Sequence, residues 1–192
     1  MKTHGITGPE TYENFLVDAG AVYVFDDETE VEDLTDNDIL GATRDGNSFT
    51  VEQEIREMEV DGAKGPVKGS RRITNINAQI VANIIEMGSE KFQKALPGSV
   101  TEDYPDTEPT HDKITRELQI ALEDYENVAL VGEIHGKDEP IICVIKNGLA
   151  DEGLSIDTSD DDEAGLEITF TAHFDPENLD EEPWEIYYPQ SA

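Results

Sequence analysis

The sequence predicts a mainly β fold: a sandwich or barrel of about seven or eight strands with one short helix and a long projecting loop. Three observations carry this. Apolar residues recur at every second position in most apolar runs, the period of a strand with one buried face. Those runs are rich in Val, Ile, Phe and Tyr and are separated by clusters of Gly, Pro, Asp and Asn, residues that turn a chain. Finally, 36% of the 192 residues are apolar, enough for a core at a length that suits one domain. Residues 1–192 are therefore read as a single unit, with an arm around 61–70 and acidic linkers around 26–38 and 150–163.

Taken in order, Phe15, Val17, Ala21, Val22, Tyr23, Val24 and Phe25 form a first strand broken at Gly20, and the acidic stretch after it is expected to be solvated. In SFTVEQEIREMEV, Phe49, Val51 and Ile55 share one face, while Thr50, Glu52, Glu54 and Arg56 take the other. Met58 and Val60 exchange faces, which predicts a bulge or a change of environment. DGAKGPVKGS follows, too long for a tight hairpin turn and suited to a projecting loop. In RRITNINAQIVANIIEM, Ala78, Ile80, Ala82 and Ile84 alternate as a strand, and Ile76, Ile80 and Ile84 would also stack on a helix. The β-branched content favours the strand. GSEKFQKALPG predicts the helix, with Ser89 as N-cap and Pro97-Gly98 as its stop.

The second half begins with a polar, Pro-containing segment. ITRELQIALEDY then places Leu118, Ile120 and Leu122 on one face of a strand, although the run also fits a helix. ENVALVGEIHGKDEPIICVIKN predicts a hairpin turning at residues 135–138. After an acidic loop, LEITFTAHF puts Leu166, Ile168, Phe170, Ala172 and Phe174 inward, and Trp184, Ile186 and Tyr188 of PWEIYYP close the fold.

Charge is unevenly spread. The chain has 45 acidic and 13 basic residues, a formal net charge of -32. Affinity for nucleic acid comes from clustered Lys and Arg releasing counterions, so free DNA and RNA are excluded as tightly bound targets. Two compatible explanations of the acidity remain. One is adaptation to high salt, where the screening length falls to about 3 Å; the other is a surface past which nucleic acid slides without sticking. Residues 62–85 contain no Asp or Glu, and this stretch begins with Lys64, Lys68, Arg71 and Arg72. Such a segment needs an acidic partner, either on its own subunit or on a neighbouring copy, where complementary charge fixes register and steers encounter.

Catalytic signatures are missing. His4, His111, His135 and His173 have no metal-ligand spacing, and GxSxG, the phosphate loop GxxxxGKS/T and the dinucleotide fingerprint do not occur. The chain is expected to be no enzyme and to need no cofactor. Asp36, Asp38 and Gly41 resemble part of a calcium loop, and Asp157 with residues 160–163 offers carboxylates, but neither fits the ligand pattern. Cys143 can form no internal disulfide and is read as a small core side chain. No apolar run approaches a membrane span, and MKTHGITGPETYENF lacks the pattern of a secretory leader, so soluble use without membrane insertion is expected.

Four stretches, ILGATRDGNSFTVEQEIREMEVDGAKGPVKGSRRITNINAQIVANIIEM, SEKFQKAL, ENVALVGEIHG and EITFTAHFDPENLDEEPWEIYYP, cover well over half of the chain. In content and order they resemble the major tail protein, or tail tube protein, of long-tailed phages and related archaeal viruses. VDGxxGPVKG and the ending FTAHFDP with PWEIYY are the most distinctive pieces, and neither is catalytic. The resemblance implies a β-sandwich subunit that joins copies of itself into hexameric rings, with strands continuing into a common inner barrel around a lumen. Rings stack into a siphovirus-like tube through which double-stranded DNA passes into the host without specific binding, and loops bridge one ring to the next. Lys64, Gly65, Pro66, Val67, Lys68, Arg71 and Arg72 would then be inter-subunit contacts. Further implied partners are a tape measure protein, a tail terminator and distal tail proteins, and the implied location is the virion tail after assembly in the host cytoplasm. The net charge departs from the family and points to a halophilic host. Glu52, Glu54 and Glu133 are the lumen candidates, although alternation groups residues by face without saying which face is inside. Two other classes compete: an extracellular acidic β-sandwich adhesin or surface module with calcium-binding loops, and a hydrolase using a carboxylate pair.

Overall fold

Alternating strands become one curled half-barrel of antiparallel sheet in the computed structural model, which describes residues 9–59, 61–105, 107–157 and 164–190. The strands are β1 (Leu16–Phe25), β2 (Ser48–Glu57), β3 (Arg71–Ile84), β4 (Ser99–Tyr104), β5 (His111–Arg116), β6 (Glu126–Ile134), β7 (Ile141–Ala150), β8 (Ile156–Asp157), β9 (Gly165–Thr171) and β10 (Trp184–Tyr187). One helix, α1 (Ser89–Lys94), follows β3. The main sheet runs β1-β6-β7-β9-β3-β2, with β10 also on β7 and β8 also on β9, while β4 and β5 form a separate two-stranded hairpin.

Strand β7 joins the two halves of the sheet. Its residues from Ile141 to Gly148 pair with β6, whereas Leu149 and Ala150 pair with Thr171 and Phe170 of β9. The change of partner falls at Asn147, which has φ 48°, and Gly148. A Cβ at Gly148 would meet the Glu126 carbonyl oxygen at 3.0 Å and Val128 Cγ2 at 3.1 Å, so only glycine lets β6 and β7 lie this close at the corner. Gly20 does similar work in β1: the register with β6 slips between Val17 and Ala21, and Gly20 takes φ 71° against the Val131 carbonyl.

Inside the curl, Val22, Ile80, Ile84, Val128, Ile145, Leu166 and Ile168 are fully buried, with Phe170 and Leu40 beside them. Each such aliphatic side chain contributes about 1.5–3 kcal/mol of burial. A second cluster, Phe25, Ala129 and Val144, lies on the reverse face of β1, β6 and β7. The acidic segment after β1 covers it. Two 3-10 turns fold that segment back and lay Val31 and Leu34 onto the cluster. Asp38 closes the second turn by accepting hydrogen bonds from the Thr35 amide and hydroxyl, both at 2.8 Å, and these bonds hold its carboxyl below the usual range.

Several expectations change against this frame. The described residues hold ten strands, because the segment read as polar and Pro-containing forms the β4–β5 hairpin. Leu118, Ile120 and Leu122 are in no paired strand: β5 ends at Arg116, and residues 117–121 leave it as an exposed connection. The N-cap of α1 is Gly88, one residue before Ser89. Phe174, Ile186 and Tyr188 are exposed, because β9 ends at Thr171 and β10 is a four-residue strand that turns only Trp184 into the core. His4, Val60 and residues 160–163 lie outside the described residues.

Candidate functional site

Fourteen residues long, β3 reaches well past the body. Its C-terminal part, from Gln79 to Ile84, lies between β2 and β9, and Ala78, Ile80, Ala82 and Ile84 are buried there as the alternation predicts. Its N-terminal part has only β2 beside it, paired from Glu57 opposite Arg71 to Glu52 opposite Asn77. Two strands therefore project as a ribbon of roughly 20 Å, given about 3.3 Å per residue. A register slip marks the change: Glu54 pairs with Asn75 but Ile55 with Ile73, which leaves Thr74 as the extra residue, its hydroxyl on the Glu54 carbonyl at 3.2 Å. The bulge expected at Met58 and Val60 is not the one seen: β2 ends at Glu57, Val60 lies outside the described residues, and the extra residue is on the return strand.

The ribbon's tip is knitted by the Met58 amide on the Ser70 carbonyl at 2.8 Å and by the Ser70 amide and hydroxyl on the Val67 carbonyl, at 3.1 and 2.7 Å. Ser70 is buried in this turn, while residues 61–69 are exposed. The ribbon also exposes apolar groups along its length: Ile55 is 50% exposed, Ile73 45%, and Met58 and Val67 are open as well. Among its cations, Arg71 pairs with Glu57 at 3.4 Å across the two strands. Lys64, Lys68 and Arg72 form no ion pair with a described residue.

Register also sorts the acidic candidates. Phe49 and Val51 pack toward the main core, so Glu52 and Glu54, opposite Asn77 and Asn75, stand on the sheet's reverse face. On β6, Val128 and Leu130 face the main core and Ala129 and Val131 the second cluster, which puts the exposed Glu133 on the reverse face too. The same face carries Gln79 and Thr171, joined at 3.1 Å, and Thr171 donates to Asp151 at 2.8 Å. Glu167, opposite Asn83, belongs to it as well. Sequence reading passed over Glu167, although its place between Leu166 and Ile168 marks it as outward. The three proposed glutamates thus share the reverse face of the sheet, which also carries the second apolar cluster, and the proposed cations share the tip of one ribbon.

A cleft of about 490 Å³ opens where β10 meets β7, lined by Asp27, Glu30, Asp175, Glu181, Glu182 and Glu185 around Lys146. Lys146 donates to Glu185 at 2.5 Å, as does the Tyr187 hydroxyl. These two bonds, the lysine's first, hold the Glu185 carboxyl below its ordinary range. The same bond to Glu185, with some burial, pushes the Tyr187 phenol up to about 12. Among the described residues no group of three or more His, Cys, Asp or Glu could hold a metal ion. Cys143 is half-buried opposite Leu130 and Ile186, and burial pushes its thiol up.

No family model matches the sequence, and no curated protein matches it. Among solved structures, the chain is similar to one in the virion of a native gene transfer agent particle, at 9% identity and a TM-score of 0.41, over 88% of this chain and 96% of that one. It is also similar to a chain in the tail of an empty gene transfer agent particle computed with helical refinement in C6 symmetry, at 9% identity and a TM-score of 0.40, over 82% and 92% of the two chains.

Proposed function

We propose that this chain is the repeating structural subunit of a viral tail tube, joining copies of itself into hexameric rings that stack around a channel for double-stranded DNA. The observation that carries the reading is the β2–β3 ribbon. An isolated two-stranded hairpin is at best marginally stable in water, yet this one leaves the body with apolar side chains on its surface and three uncompensated cations at its tip. Another copy of the same acidic chain supplies what it lacks: apolar contact area and carboxylates that fix its register. The end of the sheet supports the same reading, because β2 has no strand on its outer edge among the described residues, and closing that edge between subunits satisfies its backbone groups.

The reverse face of the sheet suits the channel. Glu52, Glu54 and Glu133 stand on it with Glu167 and a row of amides and hydroxyls, a wall whose carboxylates repel phosphate and whose cations Arg56 and Arg72 are confined to the ribbon's tip end. Lys64, Gly65, Pro66, Val67, Lys68, Arg71 and Arg72 then form the bridge between subunits. Strong like charge opposes the approach of copies at low salt, so assembly is promoted as salt rises.

Negative-stain microscopy of the purified chain across salt concentrations tests this. Stacked rings or tubes are expected. Changing Lys64, Lys68, Arg71 and Arg72 together to Glu should leave the subunit folded, with an unchanged circular dichroism spectrum, and should abolish the tubes. A chain that stays monomeric at every salt concentration and is stabilised by calcium would replace this reading with that of an adhesin-like surface module.

A further inference from the structure

Leu118 and Leu122 are the most exposed large apolar residues among those described, at 104% and 89%, and Ile120 between them is half-exposed. Leu118 sits at a bend and Leu122 opens the 3-10 turn Leu122–Asp124, and residues 117–121 pair with no strand among the described residues. The segment is nonetheless held in place. The Glu117 amide donates to the Gly98 carbonyl at 2.9 Å, and the Asp124 carboxylate accepts from the Gly98 amide at 3.0 Å and the Ala121 amide at 2.6 Å. Ala121 has extended backbone angles, φ -88° and ψ 165°. Between these anchors the amides of Leu118, Gln119 and Ile120 donate to no described acceptor. A fixed segment that exposes three apolar side chains and leaves three neighbouring amides without a described acceptor is a surface awaiting a partner.

Charge identifies the occupant. Residues 62–85 hold no acidic side chain, and residues 117–136 hold no Lys or Arg but include Glu117, Glu123, Asp124, Glu126 and Glu133. Glu126 is engaged by Lys94, while Glu117 and Glu123 are exposed and form no ion pair with a described residue. The ribbon offers the complementary set: the open edge of β2, apolar Ile55, Met58, Val67 and Ile73, and cationic Lys64, Lys68 and Arg72.

We infer that residues 117–122 are the docking strand for the β2–β3 ribbon of a second copy, with Leu118, Ile120 and Leu122 against its apolar side chains and Glu117 and Glu123 facing its cations. This rests on the proposal that copies assemble through the ribbon, and it names the surface that receives it. The ribbon's open edge offers acceptors to the amides of Leu118, Gln119 and Ile120, and the segment straightens into a strand on docking.

The test uses full-length protein in three arms. Leu118→Asp with Leu122→Asp should abolish assembly in sedimentation and microscopy without lowering the Tm of the dissociated chain, because both side chains are already in water. In a Cys143→Ser background, Met58→Cys or Val67→Cys protein mixed with Leu118→Cys or Leu122→Cys protein should give an inter-chain disulfide on mild oxidation in at least one pairing. Lys64→Glu with Lys68→Glu should lose assembly and recover it, at least tenfold in the concentration needed, when mixed with Glu117→Lys, Glu123→Lys protein. If tubes form normally with the two leucines changed, and no pairing cross-links, the docking strand is refuted and the tube reading stands. If the unmodified chain never self-associates, both fall. Should the leucine variant misfold, the disulfide and charge-swap arms decide alone.

Discussion

The two halves of β3 have the same neighbour, β2, and opposite fates. From Gln79 to Ile84 the strand is also flanked by β9, and its even-numbered residues are sealed in the core. From Arg71 to Asn77 it has β2 alone, and Ile73 remains 45% exposed. Apart from Arg71 and Arg72 at the start of the first, composition does not separate the halves, since both carry β-branched residues among amides. What separates them is the second flank, supplied by the chain in one half and absent from it in the other. Backbone pairing sets strand direction and register, but burial decides whether a strand contributes to the stability of its own subunit or is left to bind something else.

The largest expected effect lies in the sealed half. Ile80→Ala removes a fully buried side chain between Phe49 of β2 and Phe170 of β9 and should cost about 2–5 kcal/mol in urea unfolding of the dissociated chain. A loss below about 1 kcal/mol there would mean that the two halves do not differ as described.

Hydrogen exchange compares the halves within one molecule. In the dissociated chain the amides of β3 that pair with β9 should open only with the body, while those confined to the ribbon open locally, so protection should differ by about a hundredfold or more. Assembly should slow exchange in the ribbon and close most of that gap. A ribbon as protected as the body in the monomer would remove the need for a partner.

Legibility in the sequence follows the same division. Alternation located Ile80, Ile84, Leu166, Ile168 and Phe170 because each lies on the inner face of the curled sheet in this chain, so hydrophobic pattern and burial coincide. It marked Leu118, Ile120 and Leu122 as a strand with equal force, and there the pattern has no internal partner to report. Phe174 and Ile186 failed for a related reason: a period of two says where a side chain would point and says nothing about where the neighbouring strand stops. The cationic stretch is visible as an interruption in the acidity, but its placement on a ribbon with one flank depends on pairings as distant as the 92 residues between Gln79 and Thr171. The acidic segment after β1 was taken for a solvated linker because Val31 and Leu34 are too few to give a period, and both are used to cover the second cluster.

A smaller effect tests the joint that holds the body half together, where β10 is fastened to β7 by Lys146 and Glu185. Both are about 40% exposed, so solvent screening limits the pair to about 1 kcal/mol or less. The folded carboxyl of Glu185 lies below its unfolded value, so the contribution is complete above that ordinary value and is lost as pH falls through the depressed one. Lys146→Met should therefore lower the Tm near neutral pH and converge with the unmodified chain in acid. A gap that widened on acidification would reverse the assigned sign.

The smallest effect on the subunit is the most informative about the ribbon. Ile73→Ala removes the same atoms as Ile80→Ala, from the same strand and opposite a β2 residue in both cases. Because Ile73 already meets water in the isolated chain, its loss there should change unfolding by no more than about 0.5 kcal/mol. The cost should appear only when copies associate, as a higher concentration required for tubes, since the side chain is then transferred out of water against a neighbour. Equal stability losses for the two substitutions in the dissociated chain would show that the ribbon is packed within its own subunit, and the contrast between the halves of β3 would disappear.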